Sequence, residues 1–267
     1  MGKAKKFFMY LILTVASILS VFPLYYMFCA STNRSIDVIA GKLIPGTYLM
    51  ENFKSLIAQQ NLRLALCNSF RNATVLTILC LLVCSIAGYG FEIYHDKAKD
   101  AVFTVLLTAM MIPFAAIMIP MFRMFSKMGL LNNYLAIILP AMFQPLGVFL
   151  IRQQIQDFPQ ETLEAARLDG ASEYRIYRSI VKPNLSSAIA AALILIFIDN
   201  WNIVDQAVIF LREPYQQPLS VYLCQILEEQ PDIFYAASVF YAVPVLLIFL
   251  MGQDYLIQGI SMSGVKA

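Results

Sequence analysis

Six apolar stretches, each bounded by polar residues, divide the chain at about 7–30, 70–92, 102–122, 134–152, 184–204 and 235–257. A helix rises about 1.5 Å per residue, so about 20 apolar residues cross the roughly 30 Å of a bilayer's hydrocarbon. Each stretch is long enough for one span. Together they predict an all-α, polytopic membrane protein with six transmembrane helices, organised as one domain over residues 1–267. Pro23, Pro113, Pro120, Pro140, Pro145 and Pro244 fall inside these stretches, where neighbouring chains can satisfy the freed carbonyls. The run after Lys3, Lys5 and Lys6 continues to about Ala30 with no Ala-x-Ala site. That length fits a retained first span rather than a cleaved signal peptide.

The polar stretches are 31–69, 153–183 and 205–234. The middle one has its own helical punctuation. Asp157-Phe-Pro-Gln160 reads as a capping box, with the carboxylate at the N-cap and Gln three residues on. The helix then runs through Glu161 to Leu168 and stops at Asp169-Gly170, where glycine supplies the left-handed residue that closes a C-terminus. Ser172 can cap a second helix bearing Tyr174, Ile176, Tyr177, Ile180 and Val181, and Pro183 marks entry to the fifth span. Isolated helices this short are marginal in water, so the pair asks for a protein partner at the membrane surface. The plainer reading is a solvated helix–turn–helix joining two spans.

Composition agrees with the pattern. The chain is 60% hydrophobic and 13% charged, with a mean hydropathy of +0.68, whereas soluble chains are about a quarter charged. A net charge of +2 is too small to argue for nucleic acid. Six spans put both termini on one side. With the termini inside, eleven Lys and Arg fall inside and eight outside, on longer outside loops; the density favours cytoplasmic termini. Five cysteines make no CxxC pair or zinc spacing. Cys80 and Cys84 share an apolar face, where cysteine is a small apolar residue. A Cys67–Cys224 disulfide stays open.

The spacing Glu164-Ala165-Ala166, Gly170, Ile180, Pro183 resembles the EAA motif of the membrane subunits of ATP-binding-cassette importers, Glu-Ala-Ala-x3-Gly-x9-Ile-x-Leu-Pro. Lys182 replaces the usual leucine. Asn68-Ser-Phe-Arg-Asn72, Ile112-Pro113, Ile119-Pro120, Gly129-Leu-Leu-Asn-Asn133 and Trp201-Asn202 resemble the carbohydrate branch of these permeases. Ile203 stands where that branch often has an acidic residue, and residues 31–67 match only loosely. The tail from Gln258 through Ser263, Gly264 and Lys266 is most like the subunit of a maltose-type pair whose C-terminus reaches between the ATPases.

The resemblance implies a type I importer permease fold whose hairpin over 157–183 is a cytoplasmic coupling helix, with Asp169 beside the motif residues. It also implies partners: a second, non-identical permease, two copies of an ATPase, and an extracytoplasmic sugar-binding protein. The setting is then a prokaryotic cell membrane, with lipid around the spans. The chain has no Gly-x4-Gly-Lys-[Ser/Thr] loop, so ATP and magnesium would be used by the partner ATPase, and the chain itself is expected to bind no cofactor or metal and to catalyse nothing. A secondary solute transporter without an ATPase is the alternative, though only Asp199 offers it an ionisable group deep in a span.

In the fifth span, Asp199, Asn202 and Gln206 share one face of a continued helix, with Asn200 and Trp201 beside them. A charge at the bilayer centre costs about 2.5–3.5 kcal/mol on insertion scales, so Asp199 should face protein or water. One reading is a wet substrate path, in which amides and a carboxylate bond sugar hydroxyls and Trp201 stacks on a ring. The other puts Asp199 near the outer interface with Trp201 as a belt residue. His95 reads as a solvated loop residue. Met110, Met111, Met118 and Met121 read as pliable packing, and Glu228, Glu229 and Asp232 as outer-loop decoration.

Overall fold

A computed structural model of the chain describes residues 3–59, 61–94, 96–226 and 230–264, with side chains described from Lys5 to Ile257. His95, Glu228, Glu229 and Lys266 lie outside the described residues, as do the side chains of Ser263 and Gly264. The described regular structure is helical: α1 Lys3–Ser31, α2 Ser35–Ile39, α3 Leu49–Ala58, α4 Leu62–Ile93, α5 Lys97–Ala109, α6 Phe114–Lys127, α7 Leu135–Ala141 and α8 Pro145–Gln156. It continues with α9 Gln160–Leu168, α10 Glu173–Ile176, a π turn Tyr177–Val181, α11 Lys182–Asn184, α12 Ser186–Trp201, α13 Asp205–Phe210, α14 Leu219–Ile226 and α15 Pro231–Gly264.

Four stretches are straight enough, long enough and apolar enough to cross a membrane: Lys5–Ser31, Leu62–Ile93, Leu135–Gln156 and Pro231–Ile257. Two more are bent pairs, α5 with α6 at 103° and Glu173–Asn184 with Ser186–Trp201 at 79°. The six predicted spans are therefore reached when each bent pair counts once. The predicted third span, 102–122, is not one straight helix. Pro113 is extended (φ −66°, ψ 143°), has no N–H to continue the ladder of α5, and disfavours a helical residue before it.

The chain divides into two compact units, Met1–Ala65 with Leu219–Pro244, and Leu66–Pro218 with Val245–Ala267. In the first, a buried polar knot ties the end of α1 to the loop that follows. Asn33 Nδ2 donates to the carbonyls of Cys29 (2.8 Å) and Ile44 (2.9 Å), and Asn52 Nδ2 donates to those of Ser31 and Asn33, both at 2.9 Å. Tyr26 packs edge-on against Tyr235, and Phe53 against Phe240. Most of α1 itself is an exposed apolar surface, as a lipid- or partner-facing span requires.

The core of the second unit gathers Cys80, Cys84, Val148, Ile151, Ile155, Leu163, Ile176, Val181, Leu185 and Ile196, all essentially inaccessible. Helices can approach this closely because of small residues at the crossing. A Cβ on Gly147 would lie 3.0 Å from Cys84 Sγ and 3.2 Å from Ile196 Cδ1. Cys80 and Cys84 Sγ are 3.6 Å apart inside this core, the small apolar role expected of them. Cys67 and Cys224 are free thiols, so no disulfide joins them.

Three helix ends in this unit are tied by one guanidinium. Arg152 of α8 donates from Nε to Glu92 (2.9 Å) and from Nη2 to Asp100 (2.8 Å), and lies 4.5 Å over the Phe103 ring. The Arg152 and Glu92 side chains are only 13% and 11% exposed, so removing one partner strands a buried charge. Arg152→Met should therefore destabilise the protein by about 3 kcal/mol, read as a lowered thermal midpoint in detergent. Loss within 0.5 kcal/mol of zero would contradict the burial.

Candidate functional site

Two features of the second unit carry chemistry: the hairpin between α8 and α12, and a polar groove at the end of α12.

The hairpin begins differently from expectation. Asp157 is not an N-cap; it closes α8 with a helical backbone (φ −87°, ψ −1°). The residue at the N-cap position of α9 is Pro159, which makes no side-chain cap bond. A helical residue is disfavoured before proline, and Phe158 falls in the bend between α8 and α9. Ser172 does stand at the N-cap of α10, but its hydroxyl makes no cap bond. The stop at Gly170 is as expected. Gly170 has φ +78°, Ala171 N–H bonds to the Ala166 carbonyl, and Gly170 N–H to that of Arg167, each at 3.0 Å. This pair of bonds is a Schellman motif. No atom lies within 4 Å of where a Gly170 Cβ would be, so the backbone conformation, not crowding, requires glycine.

Below the turn, the hairpin is fastened to α4. Leu163, Ile176 and Val181 are buried completely. Glu173 accepts from Arg167 Nε on α9 and from Tyr89 Oη on α4, both at 2.8 Å, and the Ser85 and Tyr177 hydroxyls lie 2.6 Å apart. Pro183 cannot bond to the carbonyl four residues back, and the helix relieves this with the π turn over Tyr177–Val181. Of the motif residues, Ala166 is packed inward, Ile180 is half-buried, and Glu164, Ala165, Asp169, Gly170 and Pro183 are exposed. Leu168 is 89% and Tyr174 69% exposed, an apolar tip on a polar hairpin. The Tyr89–Glu173–Arg167 clamp was not legible in the sequence, because its three members come from separate helices.

The groove is lined by Ile137, Pro140, Ala141, Gln144, Asp199, Asn200, Asn202, Ile203 and Gln206, and holds about 410 Å³. It brings together four of the five residues expected to line a path. They do not form a single helical stripe. The helix stops at Trp201, the Asn202 N–H and Nδ2 both bond to the Ile198 carbonyl, and Gln206 belongs to α13 after the break. Asn200 is 4% exposed and donates to Thr77 Oγ1 of α4 at 3.3 Å. Trp201 is a correction: it is 1% exposed, stacked on Phe197 at 5.9 Å and edge-on to Phe70 at 4.9 Å. It packs the wall behind the groove and has no face free for a ring. Gln144, on the opposite wall, was missed; it sits beside Pro145 where α7 gives way to α8.

Arg167 beside Glu173, with the Tyr89 hydroxyl bond, holds that carboxyl down from its ordinary 4.5 to about 2. The clamp's contribution is therefore complete above pH 4.5 and lost as pH falls through about 2. Because the Glu173 side chain is 41% exposed, screening limits its worth to about 1 kcal/mol. Glu173→Gln should thus lower the amide protection factors over 160–181 about 5-fold at pH 7, whereas those of the unmodified protein stay constant between pH 8 and 5. Unaltered exchange in the variant would remove the clamp.

Comparison with known proteins matches residues 85–262 to the family described as binding-protein-dependent transport system inner membrane component. The chain is 36% identical over 253 residues to the lactose transport system permease protein LacG of Rhizobium radiobacter, covering 94% of this chain and 93% of that protein. It is 33% identical to the arabinooligosaccharides transport system permease protein AraQ of Halalkalibacterium halodurans, covering 93% and 92%. In fold it is similar to a chain of a bacterial ABC transporter involved in the import of the acidic polysaccharide alginate (TM-score 0.82, 20% identity, 96% of this chain and 98% of that one).

Proposed function

This chain belongs to the family of binding-protein-dependent transport system inner membrane components, and we propose that it is one permease subunit of an ATP-driven carbohydrate importer. The observation that carries this is the hairpin: the Glu164 to Gly170 spacing folds as a Schellman-closed helix that presents Leu168 outward from a clamped base. An exposed apolar tip on such a short element needs a cover. A cytoplasmic ATPase subunit supplies it, seating Glu164, Ala165, Asp169 and Gly170. The carbohydrate class is supported by the relatives named for lactose and arabinooligosaccharides and by the groove's carboxamides and carboxylate, which complement hydroxyl-rich ligands.

The assembly contains a second, non-identical permease, two ATPase subunits that bind ATP and magnesium, and an extracytoplasmic sugar-binding protein; this chain does no chemistry of its own. Both termini lie in the cytoplasm, and the C-terminal tail with Ser263, Gly264 and Lys266 extends toward the ATPases. ATP-driven closure moves the hairpin, and the clamp passes that motion to α4. The groove then opens to the outside, where the binding protein delivers sugar. Each partner shifts the balance of states by its differential affinity for them.

Gly170→Val forces a branched side chain into the left-handed region and should abolish co-purification of the ATPase while leaving membrane insertion intact. Normal co-purification would count against the seat. Asp199→Ala with Asn202→Ala should reduce vanadate-sensitive uptake by the reconstituted complex at least 10-fold. Unchanged uptake and unchanged substrate-stimulated ATPase rate would remove the groove from the path.

A further inference from the structure

The short helix α13, which brings Gln206 to the groove, cannot hold its own position. It has six residues, and its N-cap residue, Val204, makes no side-chain cap bond. A helix that short is marginal without outside support. The support lies at its far end. Phe210 is fully buried, edge-on to Phe125 at 5.0 Å and to Phe114 at 6.4 Å, which seats α13 on α6. Packing of this kind is non-directional; it gives adhesion but does not fix an angle.

The angle is fixed by the turn between α6 and α7. The Asn132 N–H donates to the Phe210 carbonyl at the end of α13 (2.8 Å), and Asn132 Oδ1 accepts from the Arg212 N–H (2.9 Å). The Asn132 carbonyl accepts from Gln216 Nε2 at 2.9 Å. One residue thus grips the segment that leaves α13 with its main chain and its side chain. Beside it, Asn133 Oδ1 accepts from the Leu135 N–H at 3.0 Å, where α7 begins. The groove lining includes Ile137, Pro140 and Ala141 of α7 and Gln206 of α13, so this turn joins two of the elements that shape it.

Asn132 holds this place against its own backbone preference. Among the described residues it is the one non-glycine in the left-handed region, at φ +59°. Gly129, earlier in the same turn, meets φ +68° without a Cβ. Glycine at 132 would relieve the strain and keep both main-chain bonds. It would lose only the acceptor for the Arg212 N–H. Asparagine is among the few side chains that visit this region, and such strain persists at sites where something else depends on it.

We propose that Asn132 is a positioning residue for transport: through the end of α13 it sets where Gln206 stands in the groove. The inference rests on the importer reading above and adds to it a residue that does not itself line the groove. Two bonds to the end of α13 fix its direction, whereas the single bond left in a glycine variant is a pivot. The Gln206 carboxamide has donors and an acceptor in set directions. A pivoting α13 therefore takes it out of line with a sugar hydroxyl, and hydrogen bonds weaken steeply when misaligned.

The test is a double-mutant cycle on the full complex with its binding protein in proteoliposomes. It reads ATP-dependent uptake from a mixture of lactose, raffinose and arabinotriose by mass spectrometry. Asn132→Gly should lower uptake about 5-fold, the factor one neutral hydrogen bond is worth, with all subunits still co-purifying. Asn132→Asp, which keeps the acceptor, should retain the uptake of the unmodified protein. In a Gln206→Ala background, Asn132→Gly should change nothing further, because the group it positions is gone. An equal loss in both backgrounds, an Asp variant as impaired as the Gly variant, unchanged uptake in the Gly variant, or its failure to assemble would overturn the positioning role. Full uptake by Gln206→Ala would overturn it too and leave the importer reading standing, whereas absence of any ATP-dependent carbohydrate uptake would overturn both.

Discussion

A nine-residue polar helix has too few internal bonds to stay folded in water, and the hairpin of this protein is ordered only by what it is fastened to. Leu163, Ile176 and Val181 go into the same core as Cys80, Cys84 and Ile151, while Glu173 bridges Arg167 above and Tyr89 below. The burial gives adhesion and the hydrogen bonds give register. An element held this way cannot move without moving its support. The support is α4, 32 residues without a proline, so it can act as a rod.

That rod connects the chemistry at its two ends. Tyr89 and Ser85 take the hairpin's bonds, and Thr77 takes Asn200 from the groove. Named hydrogen bonds along one helix thus connect Glu173 with the groove wall. Breaks elsewhere serve the same end. The chain stops being helical at Asn202, and irregular backbone at membrane depth is tolerated where it lines a cavity. The polar ends of α12 and α13 are turned toward the groove by that break.

Periodicity and punctuation along the chain were enough to mark the apolar helices, the hairpin and its left-handed stop, because these depend on local rules. Gly170 is legible since only a residue without Cβ sits easily at φ +78°. The start of α9 was misread: Asp157 has the chemistry of a cap, yet Pro159 decides the backbone there. Asp199, Asn202 and Gln206 do line one groove, although the helix that was to align them ends at Trp201 and tertiary packing does it instead. Trp201 was read as a ring-stacking residue from its place beside the polar positions; Phe197 stacks on it and Phe70 meets it in an edge contact, which leaves it 1% exposed. The Arg152 tie and the Tyr89–Glu173 clamp join residues at least 50 positions apart, and no single-sequence pattern reports such pairs.

The central claim, that the hairpin projects into the cytosol and is covered there by an ATPase, is tested most directly by labelling a single cysteine at Leu168, in a background lacking the native five, with a membrane-impermeant maleimide. The account predicts no reaction in intact cells, rapid reaction in inside-out vesicles that lack the ATPase, and protection once it is restored. Reaction from the outside of intact cells would contradict it.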